Sequence, residues 1–175
     1  MEANKTNINW FPGHMAKAIR EIKEKLNIVD MVIEVCDSRA YKASINPIVQ
    51  ELSKNKFYLK VFTKIDLADE NVLKGIKEGY EKQNVSCVFV NLNNKDSIKP
   101  ITNMIKQVSK PLIEKDLKRG LKPRNIRVMI VGIPNVGKST LINLLAKRKS
   151  APVGNMPGFK KKKKWVHCDG FDLLD

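Results

Sequence analysis

Gly132-Ile133-Pro134-Asn135-Val136-Gly137-Lys138-Ser139 is the stretch that decides the fold, and it fits the phosphate-loop pattern G-x-x-x-x-G-K-[ST]. Residues 126–131 directly before it, which are apolar except for Arg127, predict a buried strand. Leu141, Leu144 and Leu145 directly after it predict the apolar face of a helix. Strand, glycine loop and helix in this order are the context that the pattern requires, so we predict a site for the phosphates of a nucleoside triphosphate. The alternative is a glycine turn with an accidental lysine.

The residue types of this loop each have a chemical reason. Glycines let the backbone curl so that several N–H groups point at one phosphate, and a helix N-terminus favours the same anion. We expect Lys138 to reach the β- and γ-phosphate oxygens and Ser139 to offer its hydroxyl to Mg²⁺. The predicted phosphate-binding set is Ile133, Pro134, Asn135, Val136, Gly137, Lys138, Ser139 and Thr140.

Segments of strand and helix character alternate on the N-terminal side of the loop. Apolar, β-branched residues predict strands at 28–36, 57–62 and 85–90, and helical spacing of apolar residues predicts helices at 15–26, 69–83 and 98–108. Residues 110–124 are charged and contain two prolines, so we interpret them as a connector with partial helix. The alternation predicts an α/β fold of three layers around a mainly parallel sheet.

Length and composition bound the class of protein. The chain has 175 residues, 42% of them hydrophobic, which suits one packed domain and argues against wholesale disorder. No run of apolar residues is long enough to span a membrane and no apolar signal segment stands near Met1, so a cytoplasmic protein is the default expectation. The net charge of +15 favours a polyanionic partner such as nucleic acid or a nucleoprotein particle. Lysine-rich composition that only maintains solubility is the alternative.

The chain has three cysteines that are far apart in sequence, Cys36, Cys87 and Cys168. Cys36 and Cys87 stand in apolar segments, which is typical of reduced thiols in a core rather than of disulfides. His167 beside Cys168 has no second pair at ligand spacing, so a zinc site is not indicated.

A second motif follows the predicted strand at 57–62. Thr63-Lys64-Ile65-Asp66 resembles the guanine-recognition motif [NT]-K-x-D, and open α/β sheets place ligand contacts at such strand ends. A carboxylate at Asp66 can accept hydrogen bonds from N1–H and the 2-amino group of guanine, and adenine has neither donor there. We expect Lys64 to lay its aliphatic stem along the base. Taken alone, the tetrapeptide is also typical of a helix cap.

The order of the two motifs is unusual, because base recognition precedes the phosphate loop by more than sixty residues. This order, together with the stretch from Trp10 to Ala18, resembles the circularly permuted GTPases of ribosome assembly, in particular the ribosome biogenesis GTPase A family. The resemblance covers nearly the whole chain. Its further matches are Asp37-Ser38-Arg39, Asn46-Pro47, the phosphate loop and Met156-Pro157-Gly158.

The resemblance implies a circularly permuted P-loop GTPase fold and GTP hydrolysis coupled to late assembly of the large ribosomal subunit. It implies GTP or GDP as ligand, Mg²⁺ as cofactor and ribosomal RNA as a partner. We further expect a monomer with no membrane partner. By position, His14 corresponds to the residue that positions the attacking water, the alternative being that it only caps or orients the first helix. Asn135 corresponds to a ligand of K⁺, and Asn91 and Leu92 to the second guanine-contacting segment.

The match to the family departs at three places. Asp175, expected to reach Mg²⁺ through water, begins the second-switch motif at the last residue, so we interpret 1–175 as a GTPase domain lacking the rest of that switch and the C-terminal RNA-binding helical domain. The first switch, with Pro157 and Gly158, carries Lys160 where a Mg²⁺-binding Thr is expected, and a lysine has only donors. The guanine-contacting segment reads Asn91-Leu92-Asn93, a mild departure.

The lysine run at 160–164 has two interpretations. It is either a solvated, mobile switch loop, the usual fate of a charge run, or a contact to ribosomal RNA phosphates that weakens as salt rises.

Three functions are compatible with these observations. The leading one is a GTPase that acts in ribosome assembly. The alternative is a nucleotide-gated RNA-binding or ribosome-binding factor with negligible hydrolysis. An ATP-dependent phosphotransferase is the third, and Asp66 argues against it.

Overall fold

The computed structural model describes residues 12–147 and 165–174. These residues form six helices of α type, six strands and three short 3₁₀ turns. The α-helices are α1 (Pro12–Leu26), α2 (Tyr41–Ser44), α3 (Pro47–Leu52), α4 (Glu70–Lys82), α5 (Ile98–Lys118) and α6 (Lys138–Lys147). The strands are β1 (Met31–Asp37), β2 (Phe57–Thr63), β3 (Ser86–Phe89), β4 (Ile126–Val131), β5 (Trp165–His167) and β6 (Phe171–Leu174).

The strands form one sheet in the order β3-β2-β1-β4-β6-β5. Every neighbouring pair is parallel except β5 and β6, which pair antiparallel at one edge. All seven residues of β1 are buried, as expected for a central strand that is covered on both faces. The prediction of a mainly parallel sheet is confirmed.

Helices cover both faces of the sheet. Ile33 and Val35 of β1 belong to a core shared with Ile101 of α5 and Leu141 of α6. On the opposite face, Val32 packs in a cluster with α1 and α3, and Cys36 packs in a cluster with α4. Because side chains alternate along a strand, the two faces of β1 serve two separate apolar layers. This confirms the three-layer α/β architecture.

The partial helix predicted within residues 110–124 is confirmed for residues 110–118, where α5 continues to Lys118, so the connector itself begins only after that residue. Pro111 lies inside that helix and removes only one backbone hydrogen bond. Leu112 and Ile113 pack against the main core, and the hydroxyl of Ser109 donates to the carbonyl of Ile105 at 2.6 Å. Packing against the core therefore stabilises the helix on both sides of Pro111, although a proline by itself favours the end of a helix.

Other differences from the predicted elements are small. The first strand begins at Met31 instead of residue 28, because the N–H of Ile28 donates to the carbonyl of Lys25 in a turn that ends α1. The short helices α2 and α3 and the β5–β6 pair were not predicted.

A buried ionic cluster lies on the face of the sheet that carries Cys36. Glu34 is 1% exposed and Lys60 is fully buried. The Lys60 ammonium donates to a Glu34 carboxylate oxygen at 2.5 Å, the Tyr58 hydroxyl donates to that same oxygen, and the N–H of Asn46 donates to the other oxygen at 2.8 Å. The two charges are thus paired and hydrogen-bonded. Without such partners, the burial of a charged group would be strongly unfavourable.

Cys36 is completely buried, and this burial raises the pKa of its thiol from 9.0 to about 12. At pH 8 the reactive thiolate is therefore roughly a thousandfold scarcer than for an ordinary cysteine. We expect mass spectrometry after alkylation at pH 8 to find Cys36 unmodified in the folded protein and modified in urea. Rapid alkylation of Cys36 in the folded protein would contradict its burial.

The raised pKa of Cys36 also makes the free energy of unfolding depend on pH. Because the pKa is higher in the folded state than in the unfolded state, the contribution of the neutral thiol to stability is full below pH 9 and is lost as pH rises through 12.

Among residues 12–147 and 165–174, none of the helices is both long enough and apolar enough to cross a membrane.

Candidate functional site

The phosphate loop and the Thr63-Lys64-Ile65-Asp66 segment meet at one edge of the sheet. β2 and β4 are both parallel neighbours of β1, so their carboxyl ends lie on the same edge. The Thr63 hydroxyl oxygen lies 2.5 Å from the carbonyl oxygen of Val136 and 3.2 Å from that of Cys36. Thr63 thereby ties the end of β2 to the middle of the loop.

The backbone of the loop requires its two glycines. A Cβ at Gly132 would stand 2.9 Å from the carbonyl oxygen of Val35, so only glycine lets the loop leave β4 this close to β1. Gly137 has a φ of +99°, and a Cβ there would also stand 3.1 Å from Leu92. Immediately after it α6 begins at Lys138, so the helix N-terminus faces the loop. The tight curl that phosphate binding needs is present.

Lys138 and Ser139 are the two loop side chains from which the sequence predicts contacts to phosphate and to Mg²⁺. The Lys138 ammonium donates to the carbonyl of Gly132 at 3.1 Å, so its side chain folds back over the loop. Ser139 and Thr140 lie exposed in the first turn of α6. Mg²⁺ takes oxygen ligands, so the exposed hydroxyl oxygen of Ser139 fits this cation, whereas the Lys138 ammonium, which has only donors, fits the phosphate oxygens.

A cavity of about 210 Å³ lies between the two motifs. Asp66 is exposed at this cavity, and Leu67, beside it, has 61% of its surface exposed. Sequence reasoning did not single out Leu67. The lining residues are Thr63, Lys64, Asp66, Leu67, Asn91, Leu92, Asn93, Gly137 and Thr140.

Lys64 connects three segments at the floor of this site. Its ammonium donates to a carboxylate oxygen of Asp37 at 2.9 Å and to the carbonyl of Asn135 at 2.6 Å. Lys64 and Asn135 both have left-handed backbone conformations, with φ of +58° and +67°, which is uncommon for residues other than glycine. The sequence predicted a contact of Lys64 with the base and missed its contact with Asp37.

Asp37 is held by more than Lys64. The backbone N–H and the guanidinium of Arg39 donate to both of its carboxylate oxygens, at 2.8–3.0 Å. These hydrogen bonds from Arg39, with the one from Lys64, hold the pKa of the Asp37 carboxyl well below its ordinary value despite partial burial. Asp37 is therefore ionised throughout the neutral range.

A second cavity, of about 340 Å³, lies on the other side of the phosphate loop. It is bounded by Gly132 and Lys138 of the loop, by the buried Glu34 and by Lys25 of α1. His14 belongs to the first turns of α1, and its side chain is outside the described part of the structure. Its proposed role therefore remains a prediction.

Several predicted residues lie outside the described residues. They are Pro157, Gly158 and Lys160 of the first switch, the lysine run at 160–164, and Asp175.

A phosphate loop at the carboxyl edge of this six-stranded sheet defines the fold as that of a P-loop GTPase. Residues 127–175 match a family model described as "50S ribosome-binding GTPase". The crystal structure of GNP-bound YlqF from T. maritima superposes with a TM-score of 0.61 at 26% identity, covering 90% of this chain and 56% of that one.

The chain is also similar to curated proteins over nearly its whole length. Ribosome biogenesis GTPase A of Bacillus licheniformis is 44% identical over 96% of this chain and 60% of its own length. Mitochondrial ribosome-associated GTPase 1 of Mus musculus is 38% identical over 87% of this chain and 48% of its own length. The chain is thus a homologue of the ribosome biogenesis GTPase A proteins, and it spans about 60% of the length of these curated relatives.

Proposed function

We propose that this protein binds GTP, hydrolyses it to GDP and phosphate, and acts in assembly of the large ribosomal subunit. One observation carries the nucleotide part of the proposal: the Thr63-Lys64-x-Asp66 segment and the phosphate loop line the same cavity. Asp66 supplies the carboxylate that recognises guanine. Gly137 of the phosphate loop and Thr140 of α6 line the neighbouring part of the same cavity. Since the two motifs are more than sixty residues apart in sequence, their meeting supports a single nucleotide site.

The chemistry proposed for the site is in-line attack of water on the γ-phosphate. Lys138 and the loop amides stabilise the charge that develops on the phosphate oxygens. Mg²⁺, held by Ser139 and through water by Asp175, would neutralise phosphate charge, and K⁺ would bind near Asn135. His14 positions the attacking water, and Pro157, Gly158 and Lys160 belong to the segment that responds to the γ-phosphate.

The order of the motifs along the chain supports a circular permutation of the GTPase fold. In the sheet, the strand before the phosphate loop lies beside β1, and β1 lies beside the strand before the base motif. Joining the chain differently outside the sheet leaves these neighbours, and hence the site, unchanged.

The proposed partner is the precursor of the large ribosomal subunit with its ribosomal RNA. The names of the relatives and the net charge of +15 support a polyanionic particle as partner. We propose that the protein works in the cytoplasm as a monomer and has no membrane partner.

Turnover of GTP measured with and without purified large ribosomal subunits tests this proposal. We expect large subunits to raise the rate by roughly tenfold or more, because a partner that orders the site lowers the barrier by about 1.4 kcal/mol per factor of ten. Small subunits serve as the control polyanion. Equal stimulation by both subunits would contradict the choice of partner.

The alternative is a nucleotide-gated, ribosome-binding factor with negligible hydrolysis. The lysine at position 160, where a Mg²⁺-binding threonine is expected, favours it. Turnover that stays at the level of buffer with and without large subunits, while GTP still binds, would support this alternative.

A further inference from the structure

The two ends of β1 carry carboxylates with different surroundings. Asp30 immediately precedes the strand and accepts hydrogen bonds from the guanidinium of Arg124 at 2.6 and 2.8 Å. Asp37 ends the strand and accepts from Arg39 in the same bidentate manner. Only Asp37 also accepts from a lysine of the nucleotide site, Lys64 at 2.9 Å. The two carboxylates are therefore alike in their arginine pairing and differ in their link to the site.

The link from Asp37 continues into the phosphate loop. The ammonium that contacts Asp37 also donates to the carbonyl of Asn135 at 2.6 Å. Asp37 has a side chain that is 12% exposed, and that of Lys64 is 29% exposed, so water screens this pair less than it screens a surface pair. The ion pair holds the ammonium between the end of β1 and the loop, and thereby limits the positions that the lysine stem can take.

Arg39 fixes the carboxylate in turn. Its guanidinium donates twice and its backbone N–H once to Asp37, and the carboxylate caps the 3₁₀ turn at Ser38–Ala40. The arginine side chain is 48% exposed. The order of contacts is thus Arg39, Asp37, Lys64 and the Asn135 carbonyl, running from the surface into the site.

We propose that Asp37 is a positioning residue for guanine-nucleotide binding, which acts by holding Lys64 against the phosphate loop. This inference rests on the proposed function. Without the carboxylate, the Lys64 ammonium loses its charged partner and the stem is free to leave the face on which the base is expected to lie. The left-handed backbone conformations of Lys64 and Asn135 are then connected only by the hydrogen bond from the Lys64 ammonium to the Asn135 carbonyl.

Asp37→Asn tests the proposal, with Asp30→Asn as the matched control. We expect Asp37→Asn to weaken the binding of guanosine diphosphate by about tenfold, within the range measured for coupled neighbouring groups. Asp30→Asn breaks an equivalent arginine pair at the opposite edge of the sheet and should leave the affinity within about twofold of the wild type. Calorimetry of nucleotide binding and thermal unfolding are measured on all variants. Equal affinities for both variants and the wild type would overturn the proposal.

A double-mutant cycle separates positioning from general structural damage. In a Lys64→Met background, Asp37→Asn should change the affinity by less than about twofold, because the residue through which it acts is gone. The ratio of affinities for guanosine and inosine diphosphates should stay unchanged in Asp37→Asn, since Asp66 reads the base edge. A full tenfold loss that persists beside Lys64→Met would overturn the proposal.

A milder variant covers the case in which Asp37→Asn does not fold. Arg39→Ala leaves the Asp37–Lys64 pair in place and removes the two guanidinium contacts to the carboxylate, while the backbone N–H of residue 39 still donates to it. We expect it to weaken binding by about threefold, and an affinity equal to that of the wild type would then overturn the proposal. If the wild type binds no guanine nucleotide, the proposed function itself fails. If the wild type binds it and the variants bind equally well, only the positioning role of Asp37 fails.

Discussion

Lys138→Ala is expected to weaken binding of GTP and GDP by about a hundredfold or more. The lysine is the only side-chain cation that the phosphate-loop pattern supplies, and removal of one partner from a desolvated charge pair costs roughly 2–5 kcal/mol, where each 1.4 kcal/mol is a factor of ten. The variant also loses the hydrogen bond from Lys138 to the Gly132 carbonyl, so a small loss of thermal stability is expected beside the large loss of affinity.

Fluorescence titration with a labelled guanine nucleotide measures this effect. Lys77→Ala is the matched control, because it removes the same charge from an exposed position on α4, where Lys77 lies 4.0 Å from Glu81. The control should bind like the wild type. Retention of wild-type affinity by Lys138→Ala would refute the phosphate-loop assignment, and with it the proposed function.

Asp66→Asn is expected to reverse the preference of the site between guanosine and xanthosine triphosphates. The carboxylate accepts from two donors on the guanine edge, whereas an amide accepts one hydrogen bond and donates another. Xanthine carries a 2-oxo group where guanine carries an amine, so its edge matches the amide. The amide keeps one of the two hydrogen bonds to guanine and loses the other, which is worth about 1.5–3 kcal/mol when the acceptor is charged, so we predict a loss of roughly tenfold to a hundredfold for GTP.

Competition between the two nucleotides on wild type and variant measures the reversal. Glu78→Gln on α4 removes an exposed carboxylate elsewhere and should leave the preference for guanine intact. An unchanged preference in Asp66→Asn would show that Asp66 does not read the base. An equal loss of both nucleotides would point to damage of the cleft instead.

Much of the fold followed from local patterns. The strand before the phosphate loop, residues 126–131, was predicted with the bounds that the structure has, because apolar β-branched runs ending at a glycine loop have few alternatives. The same reasoning ended the regular helix too early in α5, which continues past Pro111 to Lys118 as part of a segment predicted to be only partly helical. Proline stops a helix locally, but the burial of Leu112 and Ile113 against the core offsets the loss of one backbone hydrogen bond.

The candidate site could also be predicted only in part from the sequence. Residue types and spacing identified the loop and Asp66, because phosphate and guanine each restrict the chemistry that can bind them. The contact of Asp37 with Lys64 joins residues 27 positions apart, and no spacing rule predicts it. It arises because parallel pairing places Asp37 beside Thr63 at the ends of two neighbouring strands, so the residue after Thr63 reaches Asp37.

By itself, the sequence determined the fold class, the phosphate loop and the motif that follows β2, since each depends on local backbone geometry and side-chain chemistry. The tertiary structure alone decided that the two motifs line one cavity, that Glu34 and Lys60 are buried as a pair and that Lys64 joins Asp37 to the loop. Those features depend on which strands become neighbours and in what register. Strand order is a property of the whole packed chain, because it is set by which apolar faces are buried together.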